Sequence, residues 1–526
     1  MSVQKVWLGG TLAVALVGLM VVGLAFPALA APGRQDDDLN LPTPTPAPVE
    51  QTPYTLTVVG GEAQTLTFDH GELDGFVLGE TTVTSAYPRG MVFTINPASE
   101  TGDIQDVILF IRFVHGSGTR VVASWDEAMG AWVSRPWQTG EGQPAWTHFE
   151  FTWRVRDTSG ASVDTEPIAL DYADPSREWF RMESDLVVLY WFGFGEDDPD
   201  AVAQRMADSM AATQERRVQG FGRPLSYKPV AVVYPSRDGL AEIYGSGVAN
   251  NRVAGFTSSD LGMSVQVLRG TELVPGNENC IYALQPDEWT MERRIETIYS
   301  TTTHEVVHLY QYDILGGPLG PLWWTEGQPE WHSIAPGLYD RRLRHLGTLQ
   351  DIPSLTTDIG SNLTQADGCY ALAYDVGPSF INFLVTHYGG IDTHRQIAEL
   401  MRTGPTVYEA VEQVTGKPFL EVENEWRVYL GLAPLSLADV DPAQALEPFE
   451  DNLIAVGDTI TLPATPMMSP LAEKPGPKAL ASAQCFANTA VTVLNMGMLE
   501  DVPYYEIDCM GMTGWVTRDQ LVGPQN

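Results

Sequence analysis

The chain has 526 residues, 44% of them hydrophobic, which is too long for one ordinary core and too apolar for wholesale disorder. It carries 67 Asp and Glu against 30 Lys and Arg, a formal charge of -37. A surface of that sign repels nucleic acid and anionic lipid, so both are discounted as partners.

Lys5 precedes an almost unbroken apolar run from Val6 to Ala31 that ends in Ala28-Leu29-Ala30-Ala31. A basic start, an apolar stretch and a small-residue cleavage site make residues 1–31 a signal peptide, or a membrane anchor if the segment stays uncut. Either way the bulk of the chain is expected outside the cytoplasm, secreted or anchored to the membrane. Residues 32–53 follow with Asp36-Asp37-Asp38 and alternating Pro and Thr, a linker that cannot form a core. Cys280, Cys369, Cys485 and Cys509 fit an oxidising compartment, and none stands in a CxxC pair. Pairing Cys280 with Cys369 and Cys485 with Cys509 would keep each bridge within one domain.

Residues 54–176 show period-two patterning broken by turn signals. Phe149, Phe151, Trp153 and Val155 share one face of a strand, and Val107 to Val114 is apolar throughout, as a central strand would be. Short strands with Gly-rich turns predict an Ig-like β-sandwich. Its histidines, His70, His115 and His148, are scattered and read as surface or packing residues.

Residues 177–433 read as an α+β domain with a helical C-terminal half. Leu186 to Phe192 and Val230 to Tyr234 are strands, and a helix from Pro199 buries Val202, Met206 and Met210. Met263, Val265 and Val267 alternate along a strand expected at the sheet edge, where an extended peptide could add to it. Residues 434–455 read as a linker. Short runs at Thr459–Leu462, Val491–Leu494, Tyr505–Asp508 and Trp515–Thr517 read as turn-separated strands of a last domain, 456–526.

The chemistry is concentrated in Thr303-His304-Glu305-Val306-Val307-His308, an H-E-x-x-H motif. Ile295, Ile298, Tyr299, Thr302 and Val306 place it on a helix, where positions four apart face the same way. His304 and His308 can then hold one Zn2+ ion, and Glu305, about 60° round the helix from His308, can reach a water without occupying the metal. A catalytic zinc takes a third protein ligand, and Glu326 in Leu322-Trp-Trp-Thr-Glu-Gly-Gln-Pro-Glu-Trp331 is the candidate. Trp323, Trp324 and Gly327 around it indicate a tightly packed start to a second helix. His332 stands six positions from Glu326, on the other side of such a helix, and His345, His387 and His394 have no partners at metal spacing. Asn362-Leu-Thr364 matches a glycosylation sequon, and no G-x-S-x-G elbow is present.

HEVVH followed by WWTEGQPEW resembles the gluzincin metallopeptidases, the thermolysin and aminopeptidase-like clan, over roughly residues 177 to 433. The resemblance implies a zinc metallopeptidase with His304, His308 and Glu326 as ligands and Glu305 as general base. Cys369-Tyr-Ala-Leu-Ala-Tyr-Asp-Val-Gly377 is similar to the segment that carries an oxyanion-stabilising Tyr in the aminopeptidase-like members. That places Tyr374 in the role, with Tyr370 as the alternative. No G-x-M-E-N-like segment stands upstream, the feature that reads a free amino terminus in those enzymes, so an endopeptidase acting on peptides or proteins is expected. Gly514-Trp515-Val516 followed by Asp519-Gln-Leu-Val522 resembles the closing strand of bacterial SH3-like barrels, which implies a small closed β-barrel over 456–526 that docks the chain to a cell-envelope ligand. The competing reading is a non-catalytic envelope- or surface-binding protein whose zinc site is structural or vestigial.

Overall fold

The computed structural model describes residues 51–526 except 138–142, 245–253, 269–288, 334–337, 357–371, 438–445, 465–467, 473, 477–480, 500 and 524–526. The apolar segment 1–31 read as signal or anchor, most of the Pro-Thr linker, Cys280, Cys369, the Asn362 sequon and Tyr370 lie outside the described residues. The chain divides into two compact units, Met1–Gln350 with Ile359–Ala410, and Asp351–Asp358 with Val411–Asn526. The protein is multidomain, with several sheets and about ten helices.

The first unit is built on a mixed six-stranded sheet. Its order is Tyr54–Gly60, Glu178–Ser184, Val188–Trp191, Val230–Tyr234, Met263–Val267 and Gly255–Ser258. The two central pairings are parallel and the flanking ones antiparallel. Alternation along the central strands feeds two cores. Val188, Tyr190, Val232, Tyr234, Met263 and Val265 join the aromatic core of the preceding domain. Leu189, Trp191, Ala231 and Val233 pack against Val202, Met206, Ile298 and Val306 from helices. Burial on both faces is why these strands read as nearly continuous apolar runs.

Two further sheets of the same unit face each other. One runs Ser124–Asp126, Ala131–Ser134, Met91–Ile95, Glu80–Ser85, Thr65–Asp69. The other runs Ser162–Asp164, His148–Asp157, Ile104–Arg112, Gly118–Val122, with Ile168–Asp171 also paired to His148–Asp157. Phe93 of the first meets Phe151 of the second at 5.2 Å and Trp153 at 6.4 Å, edge to face. The faces chosen by Phe149, Phe151, Trp153 and Val155 are therefore the buried ones.

Two strand placements differ from expectation. Tyr54–Gly60 does not join the sandwich; it pairs with Glu178–Ser184 along its whole length, from Tyr54 opposite Ser184 to Gly60 opposite Glu178. Period-two patterning fits either sheet, so it could not choose between them. Met263–Val267 is an interior strand, and the edge is Gly255–Ser258, whose polar sequence gives no apolar alternation to notice.

Helix α1 (Pro199–Phe221) starts with Asp198 accepting from Ala201 N at 3.1 Å and Pro199 in its first turn, and stops at left-handed Gly222. After α2 (Arg237–Tyr244) comes α3 (Met291–Tyr310), capped by Thr290 and packed on the strands Gly255–Ser258 and Met263–Val267. Every residue of α3 from Thr301 to Tyr310 is buried. A five-residue π-turn, Gln311–Leu315, prolongs it to left-handed Gly316. Helices α4 (Leu322–Ser333), α5 (Leu338–Leu346), α6 (Leu372–Tyr388) and α7 (Ile391–Met401) follow, with α4 against α3 and α6.

The second unit holds most of α8 (Val407–Thr415), all of α9 (Phe419–Leu430) and the C-terminal strands. Glu423 of α9 is buried and accepts from Leu355 N and Ser354 Oγ at 2.9 Å each. The strand order is Thr459–Thr461, Ala490–Leu499, Val502–Cys509, Met512–Thr517, Met468–Ala472, Ala481–Phe486. The expected closed barrel is not formed: among the described residues the end strands Thr459–Thr461 and Ala481–Phe486 do not pair. Of the segment that resembled a closing strand, Gly514 to Val516 lie in the strand Met512–Thr517 and Asp519 to Val522 in the short helix Arg518–Val522. Cys485 and Cys509 are bridged as expected. The stretch read as linker reaches this sheet, with Glu447 bridging Met498 and Ile454 buried in its core.

Candidate metal centre

The helical spacing of H-E-x-x-H brings two imidazoles to one side of α3, and α4 brings a carboxylate to meet them. His304 Nε2 and His308 Nε2 lie 3.2 Å apart, and Glu326 Oε2 lies 3.4 Å from each. All three are buried. Close approach of α4 and α6 puts the carboxylate there: a Cβ on Gly377 would fall 1.8 Å from Trp323 O, and one on Gly327 2.7 Å from the Gly377 main chain. Trp323 and Trp324 are fully buried beside this contact, as the sequence indicated.

The proton positions on both rings follow from their outer neighbours. His308 Nδ1 lies 2.8 Å from Gln311 Oε1, which can only accept. His304 Nδ1 lies 3.2 Å from Glu330 Oε1, also an acceptor, and Tyr339 donates its hydroxyl to the other oxygen of Glu330. The neutral His308 ring therefore carries its proton on Nδ1. His304 Nδ1 makes no hydrogen bond among the described residues, but the negative charge of Glu330 beside it draws that ring's proton to the same side, which leaves both Nε2 lone pairs toward Glu326. Glu326 Oε2 has no hydrogen-bond partner among the described residues. Three buried acceptors converging with no donor between them repel one another unless a cation takes the centre. The cluster could hold a metal ion, and its donor set fits one.

Without a cation, protons answer the same need. Burial works against charge on His304, but Glu326 and Glu330 outweigh it and hold the ring up at about 10. Burial likewise opposes the charge of Glu326, yet the two imidazoles hold its carboxyl down at about 2. His308 is raised as well, with Glu326 overcoming its burial.

Glu305 stands beside this cluster without joining it. One oxygen accepts from Thr257 Oγ1 at 2.6 Å; the other, Oε1, is buried with no partner among the described residues. Burial pushes its pKa up against the pull of His308 and His304. The edge strand passes close by, since a Cβ on Gly255 would lie 3.1 Å from Glu305 Oε1. Tyr374, on α6, lays its ring parallel to His304 with centroids 6.4 Å apart. Burial, then Glu326, Glu330 and Glu305, push its phenol well above the ordinary range, so it stays protonated and able to donate.

The other histidines stay apart from the cluster. His332 is buried against Phe221 and His394, with ring centroids 5.2 and 5.1 Å away, and burial pushes it well below its ordinary pKa. His345 and His387 are exposed, and His70, His115 and His148 sit in the sandwich region against Thr81, Tyr227 and Asp171. Sequence reading missed Thr257, Gln311, Gln328 and Glu330, and it set His394 aside as a histidine without partners at metal spacing. Glu330 alone carried a signal, four positions after Glu326 on the same helix face.

The chain matches no protein-family model and no curated protein. Among solved structures it is similar to aminopeptidase A of Legionella pneumophila in complex with aspartic acid, with 9% identity and a TM-score of 0.29. The match covers 89% of this chain and 53% of that one, so the chain spans about half the length of that structure. No helix among the described residues is long and apolar enough to cross a membrane.

Proposed function

We propose that the chain is an exported, zinc-dependent metallopeptidase, cutting within peptide chains, with His304, His308 and Glu326 as the ligands. One observation carries the reading: a second acidic side chain, Glu305, is buried beside the three converging acceptors, with one oxygen unpartnered among the described residues. A metal site that only braces the fold has no use for such a group, whose burial is costly. Two imidazoles and a carboxylate suit zinc, and ligand atoms on a tetrahedral zinc lie about 3.3–3.4 Å apart, close to the spacing of these three. When bound, zinc would supply Lewis-acid polarisation of a carbonyl and an acidified water.

The residues of the chain do the rest. Glu305 Oε1 accepts a proton from the attacking water and hands it to the departing amine, while Thr257 holds the other oxygen still. Its raised pKa suits it to both steps. The Tyr374 phenol donates to the oxygen that gains charge as the carbonyl becomes tetrahedral. The edge strand Gly255–Ser258, rather than Met263–Val267, is the surface on which an extended substrate would pair.

Export rests on the apolar segment at 1–31 and is in keeping with the Cys485–Cys509 bridge. The open C-terminal sheet, with its SH3-like sequence pattern, is assigned a docking role toward the cell envelope. The test is metal analysis of the purified chain alongside digestion of a quenched peptide library, with and without chelator. Stoichiometric zinc and chelator-sensitive internal cleavage are expected; zinc without cleavage under any condition leaves the surface-binding reading in its place.

A further inference from the structure

From His308 a line of side-chain hydrogen bonds runs away from the metal cluster, and each bond has only one possible direction. Its ends are fixed by two main-chain carbonyls, Gly220 O and Thr325 O, which can only accept. His394 Nδ1 lies 3.1 Å from Gly220 O, so Nδ1 carries the ring proton and Nε2 must accept. Gln328 Nε2 donates to that atom at 3.1 Å, which turns Gln328 Oε1 toward Gln311. Gln311 Nε2 then donates to Gln328 Oε1 at 2.6 Å and to Thr325 O at 2.8 Å. Only Gln311 Oε1 is left to face His308, and it accepts from Nδ1 at 2.8 Å. Gln311, Gln328 and His394 are all buried, so water does not compete for these bonds, and burial holds His394 down at about 4, hence neutral.

The backbone is arranged for this line. Pro329 inside α4 has no N–H, so the carbonyl four residues earlier, Thr325 O, is free for Gln311. At the far end a side chain on residue 220 has no room: a Cβ on Gly220 would lie 2.5 Å from His332 Cε1 and 3.3 Å from His394 Nδ1. The π-turn that begins at Gln311 follows directly on the H-E-x-x-H helix.

We propose that Gln311, Gln328 and His394 form a buried positioning relay that fixes His308 as the Nδ1-protonated tautomer and reserves its Nε2 lone pair for the cation. The proposal rests on the reading of His308 as a ligand. Neutral amides achieve this without adding another negative charge to an interior that already holds Glu305, Glu326 and Glu330. The relay also ties the ligand to α1 and α7, elements that contribute no side chain to the cluster.

The direct test is long-range 1H–15N correlation on metal-free full-length protein labelled at histidine, with His394 assigned by its loss in His394→Gln. A His394 signal of the Nδ1–H tautomer is expected, and one of the Nε2–H tautomer overturns the relay. The second test reads zinc affinity by chelator competition. Gln328→Met and His394→Leu should weaken it about tenfold or more, while His394→Gln, which keeps an acceptor toward Gln328 and a donor toward Gly220, should stay within about threefold of wild type. Equal affinities for His394→Leu and His394→Gln overturn the proposal even if Gln328→Met fails to fold. A wild-type chain that binds no zinc would instead defeat the ligand assignment, and the His394 tautomer would still report on the relay.

Discussion

Thr257 and Glu305 are joined by a 2.6 Å hydrogen bond from the threonine hydroxyl to one carboxylate oxygen, across the gap between the edge strand and α3. The bond uses one oxygen and leaves the other directed to the site. Glu305→Gln should keep zinc and lose at least about 100-fold in kcat, as removal of a general base does. Thr257→Val should cost about tenfold in kcat with little change in KM, the size of one charge-assisted hydrogen bond. Wild-type turnover by Glu305→Gln on a casein-like substrate ends the proposed mechanism.

Glu330 Oε1 lies 3.2 Å from His304 Nδ1 as a charge contact, and Tyr339 donates to the other oxygen of Glu330. Glu330→Gln should weaken zinc binding about 10–100-fold, and Tyr339→Phe less, because the carboxylate survives. Chelator competition on the two variants checks the order.

In metal-free protein the site keeps a proton at neutral pH, since His304 lies up at about 10 and Glu326 down at about 2. Zinc must expel that proton. Affinity should therefore rise with pH, by about tenfold per unit while one proton is displaced, up to the folded-state value of His304. The same raised pKa stabilises metal-free protein fully below about 6.5, and the gain is lost as pH climbs toward about 10. Titration calorimetry in buffers of different ionisation enthalpy measures the release; none at pH 7 contradicts the assignment.

Gly377 and Gly327 let α6 touch α4 backbone to backbone. Gly377→Ala should destabilise the fold by about 3 kcal/mol and lower metal content, because α4 must move and Glu326 moves with it. A denaturation midpoint and metal content equal to wild type would show that the contact is looser than described.

In the second unit, Asp451 accepts from Tyr505 at 2.5 Å and from Arg518 at 2.9 Å. Burial opposes its charge, but these donors outweigh it and hold the carboxyl down at about 2. A depressed pKa contributes stability above the unfolded value of about 3.9 that is lost as pH falls toward about 2. Asp451→Asn should lower the melting temperature at pH 7, and the gap from wild type should narrow between about pH 4 and 2.

The sequence by itself determined whatever depends on local periodicity. His304 and His308 share a face because a helix repeats every 3.6 residues, and Phe149, Phe151 and Trp153 share one because a strand repeats every two. Glu326 was legible because its helix follows closely on the motif. Only the tertiary structure decided what rests on contacts between segments distant in the chain: that Tyr54–Gly60 joins Glu178–Ser184, that Gly255–Ser258 is the edge beside Glu305, and that the C-terminal sheet stays open. The same holds for Gln328 and His394, neither marked by its own neighbourhood. A hydrogen bond between elements far apart in sequence leaves no periodic trace in either, so only the assembled fold reveals it.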